Sequence, residues 1–215
     1  MEDTIRTKPQ SDPGTAPLAA RVAIGAAALA LVTLALLHPL RPDLSPSAHL
    51  ISEYAVGPWG WVMTLCFAAF ATSSGSVLVL AWSRVKTVGR VGLVFLGFAT
   101  IGLVLAVVFP IDPTATSQEA MSFSGRMHGV GFMIGVPGEL LSVLLLTIAL
   151  RKPALTVLAA GVWISLGLMA YAMVSSGMHP GDPPHGWFGI PNRTFMSLYA
   201  LWLVVTARTL ASGGD

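Results

Sequence analysis

The sequence predicts an all-α integral membrane protein, a polytopic six-transmembrane-helix bundle with both termini on the cytoplasmic side. Three observations carry that expectation. The 215 residues are 54% hydrophobic and only 10% charged, with a mean hydropathy of +0.73, whereas soluble domains carry about 25% charged residues. Six apolar runs match the ~20 residues that a helix needs to cross the hydrocarbon core. Lysine and arginine are distributed unevenly around those runs, which orients them. The runs are continuous rather than alternating with period two, which argues against a closed barrel, the other way to satisfy every backbone group in lipid.

Residues 1–17, "MEDTIRTKPQSDPGTAP", are polar and contain proline, and read as a disordered cytoplasmic tail. They are too long and too mixed in charge for the basic leader of a signal peptide. The run at 21–38 lacks a small-residue cleavage site before "HPLRPD", so it reads as a retained first span. The membrane domain is expected over 18–211, with a second short tail at 212–215. Between the first and second spans lies "HLISEYAVGPWGWVM". Its Trp59, Trp61 and Tyr54 suit an aromatic belt at the headgroup level. Glu53 among them is an acid placed to meet a cationic headgroup or a substrate.

The second span, 60–82, contains "ATSSGS" (Ala71 to Ser76), small residues that let helices approach closely. It also holds Cys66, the single cysteine. No disulfide can therefore form within the chain, and a buried cysteine behaves as a small hydrophobe. The remaining spans are 91–109, 128–150, 154–174 and 194–210.

One set of span ends gathers Arg6, Lys8, Arg21, Arg84, Lys86, Arg90, Arg151, Lys152 and Arg208, and the other has only Arg41, Arg126 and Arg193. That asymmetry places the first set in the cytoplasm. All five histidines, with Asp43, Glu53, Asp112, Glu119 and Asp182, fall at or beyond the opposite ends. A functional site is therefore expected to face outward, from a cell (inner) membrane. The few, scattered basic residues exclude nucleic acid as a partner and leave membrane lipids as the natural neighbours.

The three outward-going spans end alike, in "LLHPLRPD", "VVFPIDP" and "GMHPGDP". Each places His or Phe before a proline with an aspartate beyond it, a pattern compatible with three related helical hairpins. Proline is also an ordinary helix stop, and two crossings with their loops take about 60 to 70 residues by length alone.

Glu139 is the most informative single residue. It lies about 11 residues into the fourth span, near 16 Å deep at 1.5 Å per residue. An acid at that depth usually faces a cavity or a partner. His128, eleven residues earlier, returns to nearly the same helical face, with Gly131, Gly135 and Ser142 close by and Pro137 beside it. The expected form is a groove with a histidine at its mouth and an acid at its floor. The alternative is a protonated Glu139 hydrogen-bonded to Ser73, Ser74, Ser76, Tyr171, Ser175 or a backbone carbonyl.

Arg126 and Arg193 oppose the positive-inside trend, so specific partners are expected for them, either Asp112 and Asp182 or lipid phosphate. In "SGMHPGDPPHGWFGIPNRT", His179, Asp182 and His185 have zinc-ligand chemistry. Their prolines rule out a regular helical presentation, and the spacing matches no familiar zinc signature. No cofactor is expected otherwise.

"HLISEYAVGPWGW", "FPIDP…GRMHG" and "HGWFGIPNR" together resemble a broad prokaryotic family of six-span membrane proteins, domain of unknown function 998. The resemblance runs over nearly the whole chain from about residue 20. It implies recurring roles for Pro110, Asp112, His128 and Arg193. One departure is "PNR", where that family more often carries a Gln-Arg pair.

The leading expectation is an outward-facing polar pocket that binds or modifies a lipid-like or small amphipathic molecule. His128, Glu139 and Asp112 are the candidate catalytic groups, because histidine titrates near neutrality. Arg193, Arg126, Glu53, Asp182 and His185 are the candidate substrate contacts. The rival expectation is a permease or accessory subunit whose polar cluster only locks the helices.

Overall fold

The computed structural model describes residues 15–113, 116–117, 119–177 and 185–213. Among them are six α-helices: α1 (Thr15–Leu40), α2 (Gly60–Ala81), α3 (Thr87–Val108), α4 (Phe123–Leu150), α5 (Pro153–Ser175) and α6 (Gly189–Ala211), with a short 3₁₀ turn at Ile51–Ala55. All six are long and apolar enough to cross a membrane. Four helices begin four to six residues earlier than expected, α4 and α6 among them. Ser122 caps α4 by accepting from the Gly125 amide at 3.0 Å, and α6 starts through Pro191 within its first turn, where a missing N–H costs nothing.

The densest packing runs within successive pairs, α1 on α2, α3 on α4 and α5 on α6, as three hairpins would pack. α2 and α6 are the most enclosed helices, with 56% and 50% of their apolar windows buried against 28% for α5. They form the centre, where Tyr199 stacks between Phe70 and Trp202. Hydrogen bonds cross this apolar interior. Ser74 bonds the Tyr199 hydroxyl at 2.9 Å, and Trp202 Nε1 donates to Thr147 Oγ1 at 3.0 Å. Ser73 and Cys66 donate to the Ala23 and Ala30 carbonyls of α1. Without a hydrophobic force between helices in lipid, such bonds and close packing hold a bundle together.

The closest helix approach is between α3 and α4, rather than at "ATSSGS". A Cβ added at Gly102 would lie 2.6 Å from the Gly131 carbonyl oxygen, and one at Gly138 would lie 2.6 Å from the Ala99 amide nitrogen. At Gly75 it would meet only Thr100 Cγ2 at 3.7 Å. The first two proline exits differ in form. α1 runs through Pro39 to Leu40, α3 stops at Val108 before Pro110, and the third exit lies outside the described residues.

Candidate functional site

The 41–59 connection folds back into the bundle and fixes one end of it. Arg41 pairs with Asp43 at 2.7 Å and also donates to the Val56 carbonyl. This raises the Arg41 pKa, and the guanidinium holds the Asp43 carboxyl below its usual range. The Tyr54 hydroxyl donates to the Leu44 carbonyl at 3.0 Å. Tyr54 is 1% exposed, so it is a core residue and not part of an interfacial belt, whereas Trp61 remains exposed. The Ile51 amide donates to Asn192 Oδ1, and the Gly189 amide to the Ser47 carbonyl, which ties the 3₁₀ turn to the start of α6.

Arg193 is the centre of this lock. Its Nε donates to His38 Nε2 at 2.8 Å, and its Nη1 donates to the carbonyls of His49 and Gly189 at 2.7 and 2.9 Å. The guanidinium lies 5.3 Å from the Tyr54 ring centroid, a cation–π distance. Accepting at Nε2 puts the His38 proton on Nδ1, which faces the Ala35 carbonyl at 3.3 Å. The expected pairing of Arg193 with Asp112 does not occur: backbone carbonyls and a neutral imidazole take Nε and Nη1, and Nη2 is buried without a partner.

Asp112 instead accepts from the Ser122 amide and hydroxyl, both at 2.7 Å. That puts an acid at the N-terminus of α4, where the helix dipole favours it. Gly125 is required there, since a Cβ would lie 2.6 Å from the Asp112 carboxyl carbon.

Two cavities lie between this end and the middle of the bundle. The deeper one, about 90 Å³, is lined by His128, Gly131, Phe132, Gly135 and Glu139 of α4. Gly102 and Ala106 of α3, Phe67, Met169, Asn192 and Phe195, and the Leu50–Ser52 backbone complete it. The shallower one, about 190 Å³, is lined by Glu53, Asp112, Gly125, Met173 and Phe188 among others. Leu50 lines both. Met173 and Gly125 sit about one helical turn nearer the end than Met169 and His128, so the two cavities stack along the bundle.

His128 and Glu139 both line the deeper cavity, three turns apart on α4. His128 is 8% exposed, and its Nδ1 lies 2.9 Å from the Phe109 carbonyl. A carbonyl only accepts, so Nδ1 carries the proton and Nε2 is left to act as an acceptor. Glu139 is 3% exposed, and its Oε2 has no hydrogen-bond partner. Of the partners expected for it, three serines are engaged elsewhere and the tyrosine is exposed. Ser73 and Ser74 bond α1 and Tyr199, Ser175 bonds the Ala172 carbonyl, and Tyr171 is 65% exposed. Ser142 meets only the backbone carbonyl of Glu139. Among the described residues Arg193 Nη2 and Thr206 Oγ1 are also buried without a partner, but of the three only Glu139 lines one of these cavities.

One continuous region, residues 23–209, matches the family described as Protein of unknown function (DUF998). The chain belongs to that family. No curated protein and no solved structure is detectably similar to it.

Within this DUF998 chain, Arg126 and His185 line neither cavity, whereas Glu53 lines the shallower one. Arg126 is exposed and lines a shallow depression with Gly129, Val130 and Met133. His185 Nε2 lies 3.1 Å from the Ser176 carbonyl, at an exposed position. Glu53 is buried, accepts from the Leu50 amide at 2.9 Å and faces His49 Nε2 at 3.9 Å. His179 and Asp182 lie outside the described residues. Among the described residues no three His, Cys, Asp or Glu side chains are grouped to hold a metal.

Residues that sequence reasoning passed over include Asn192, Gly125, His38 and Gly102. Asn192 occupies the position where "PNR" departs from the family's Gln-Arg pair, and its amide oxygen holds the 3₁₀ turn. "GFMIG" (Gly131 to Gly135) is a literal Gly-x-x-x-Gly and was the available signal for the α3–α4 contact.

Proposed function

We propose that this DUF998 protein is a binding protein of the cell membrane that takes a small amphipathic guest into the stacked cavities from the outer side. The observation that carries the reading is the partnerless Glu139 Oε2 at the floor of a cavity 3% open to solvent at that residue. Its apolar walls suit the body of an amphiphile, and a few convergent polar groups orient it, as in small-molecule sites generally. The outward direction is supported by the nine lysines and arginines at the opposite span ends.

A second reading is favoured by the Arg193 and Asp112 bonds. In that reading the polar end only locks the helices. The two readings separate at Glu139, because the lock leaves it without a partner. His128 Nε2 is the group available to accept from a guest at the cavity mouth, while the Asp112 carboxylate is already engaged as a helix cap.

The test is purification from native membrane in a mild nonionic detergent, followed by mass spectrometry of co-purifying small molecules. Wild-type chain enriched in one amphiphile, with Ala106→Leu depleted of it, supports the binder. Equal recovery of bulk lipids from both would sink it in favour of the lock. Reporter fusions at the two termini test the orientation, and an extracytoplasmic signal from either would overturn it.

A further inference from the structure

Resting on that reading, we infer that the guest carries an organic ammonium group, held in the deeper cavity by Glu139 and by aromatic faces. The charge balance of the two cavities points this way. Their described lining includes the carboxyl groups of Glu139, Glu53 and Asp112 and no lysine or arginine. Arg193 is next in sequence to the lining residue Asn192, yet it lines neither cavity; its Nε and Nη1 are bonded to His38 and the 49 and 189 carbonyls, and its Nη2 is buried without a partner. Nothing in this lining would hold a phosphate or sulfate, and an anionic headgroup would meet three acids.

Glu139 supplies the independent pointer. Its Oε2 is buried without a partner, and an acceptor in that state calls for a donor. The rest of the cavity has the composition that recognises alkylammonium ions. Phe67, Phe132 and Phe195 line it with Met169, and a cation set over aromatic faces is held more tightly when desolvated. A carboxylate with an aromatic surround discriminates an ammonium from its uncharged isostere, which the phenylalanines alone would do weakly.

The deeper cavity also has a side wall on the bilayer. Phe132 lines it yet is 49% exposed, and α4 touches α5 only lightly although the two are consecutive. An amphipathic amine dissolved in the membrane can thus reach Glu139 laterally, and a soluble amine can reach it through the shallower cavity. The ammonium is common to both sources.

Calorimetric titration of the purified chain in nonionic micelles tests this with three probes of one chain length: hexylammonium, hexyl sulfate and hexyl glucoside. Saturable binding of the ammonium at least tenfold tighter than the other two is expected, with that preference lost in Glu139→Gln. The wild-type comparison stands even if the variant fails to fold. Equal binding of the glucoside would overturn the ammonium class and leave the amphiphile pocket intact. A preference for the sulfate would overturn it as well, and no saturable binding of any probe would overturn both. Phosphatidylethanolamine added to the micelles separates the sources. Competition assigns the ammonium to a lipid headgroup and its absence to a free amine, and either result upholds the class.

Discussion

The two flanks of α4 are built on opposite plans. Against α3, glycines bring backbone onto backbone, so that a single added methyl group at Gly102 or Gly138 would collide. Toward α5 the same helix makes little contact, and beside that flank lies the deeper cavity, with an acid at its floor, which Met169 of α5 lines together with residues of α2, α3 and α6. Lipid provides no hydrophobic force to close such a gap, since a leucine is as comfortable in hydrocarbon as against its neighbour. The tight seam marks where this bundle is held, and the loose flank is where the proposed guest would enter.

The contrast can be broken from either side. Gly102→Ala attacks the tight seam and should cost about 3 kcal/mol, the upper range for overpacking. Thermal unfolding in micelles, followed by tryptophan fluorescence, measures it. A melting curve like the wild type's would mean that the seam is loose after all. Arg193→Lys keeps the charge but not the planar fork, so it should release His38 and one carbonyl and cost about 2 kcal/mol. A double-mutant cycle with His38→Ala should then show strong non-additivity, and simple additivity would dissolve the proposed lock.

Ala106→Leu addresses the cavity from its α3 wall. It should leave stability within about 1 kcal/mol while weakening hexylammonium at least tenfold, about 1.4 kcal/mol. A variant that binds as well as wild type would show that the guest does not use this slot. The smallest effect is expected at Asp43, which is fully exposed. Because Arg41 holds its carboxyl below the usual range, the pair stabilises the fold fully above the carboxyl's unfolded pKa. That contribution fades as pH falls through the lowered folded value. Unfolding midpoints at successively lower pH should therefore converge for wild type and Asp43→Asn, and a gap that widens on acidification contradicts the pairing.

Much of this was legible before any coordinates. Six apolar runs and their charge asymmetry follow from solvent transfer alone, and a lone acid eleven residues into a span announces itself because lipid tolerates so few. The partners were another matter. Arg193 was flagged by its sidedness, but matching charges suggested an aspartate where the structure offers carbonyls and a neutral imidazole. Which acceptors face a guanidinium depends on how the 41–59 connection folds back, and no local pattern encodes that. Tyr54 misled for a related reason. Its sequence neighbours Trp59 and Trp61 are surface aromatics, while its own ring is carried inward by a 3₁₀ turn bonded to Asn192. Gly125 is legible only once Asp112 is known to cap α4.

The half-exposed Phe132 in the cavity wall has a thermodynamic consequence. A site with one wall in the bilayer is filled from the amphiphile dissolved there, so its occupancy follows the membrane concentration of the guest. Partition contributes about 0.8 kcal/mol per methylene, so each methylene added to a probe should tighten its apparent aqueous affinity about fourfold with no new contact to the protein. Within a homologous series the slope reports the solvent, and only the ratio between headgroups at fixed chain length reports Glu139.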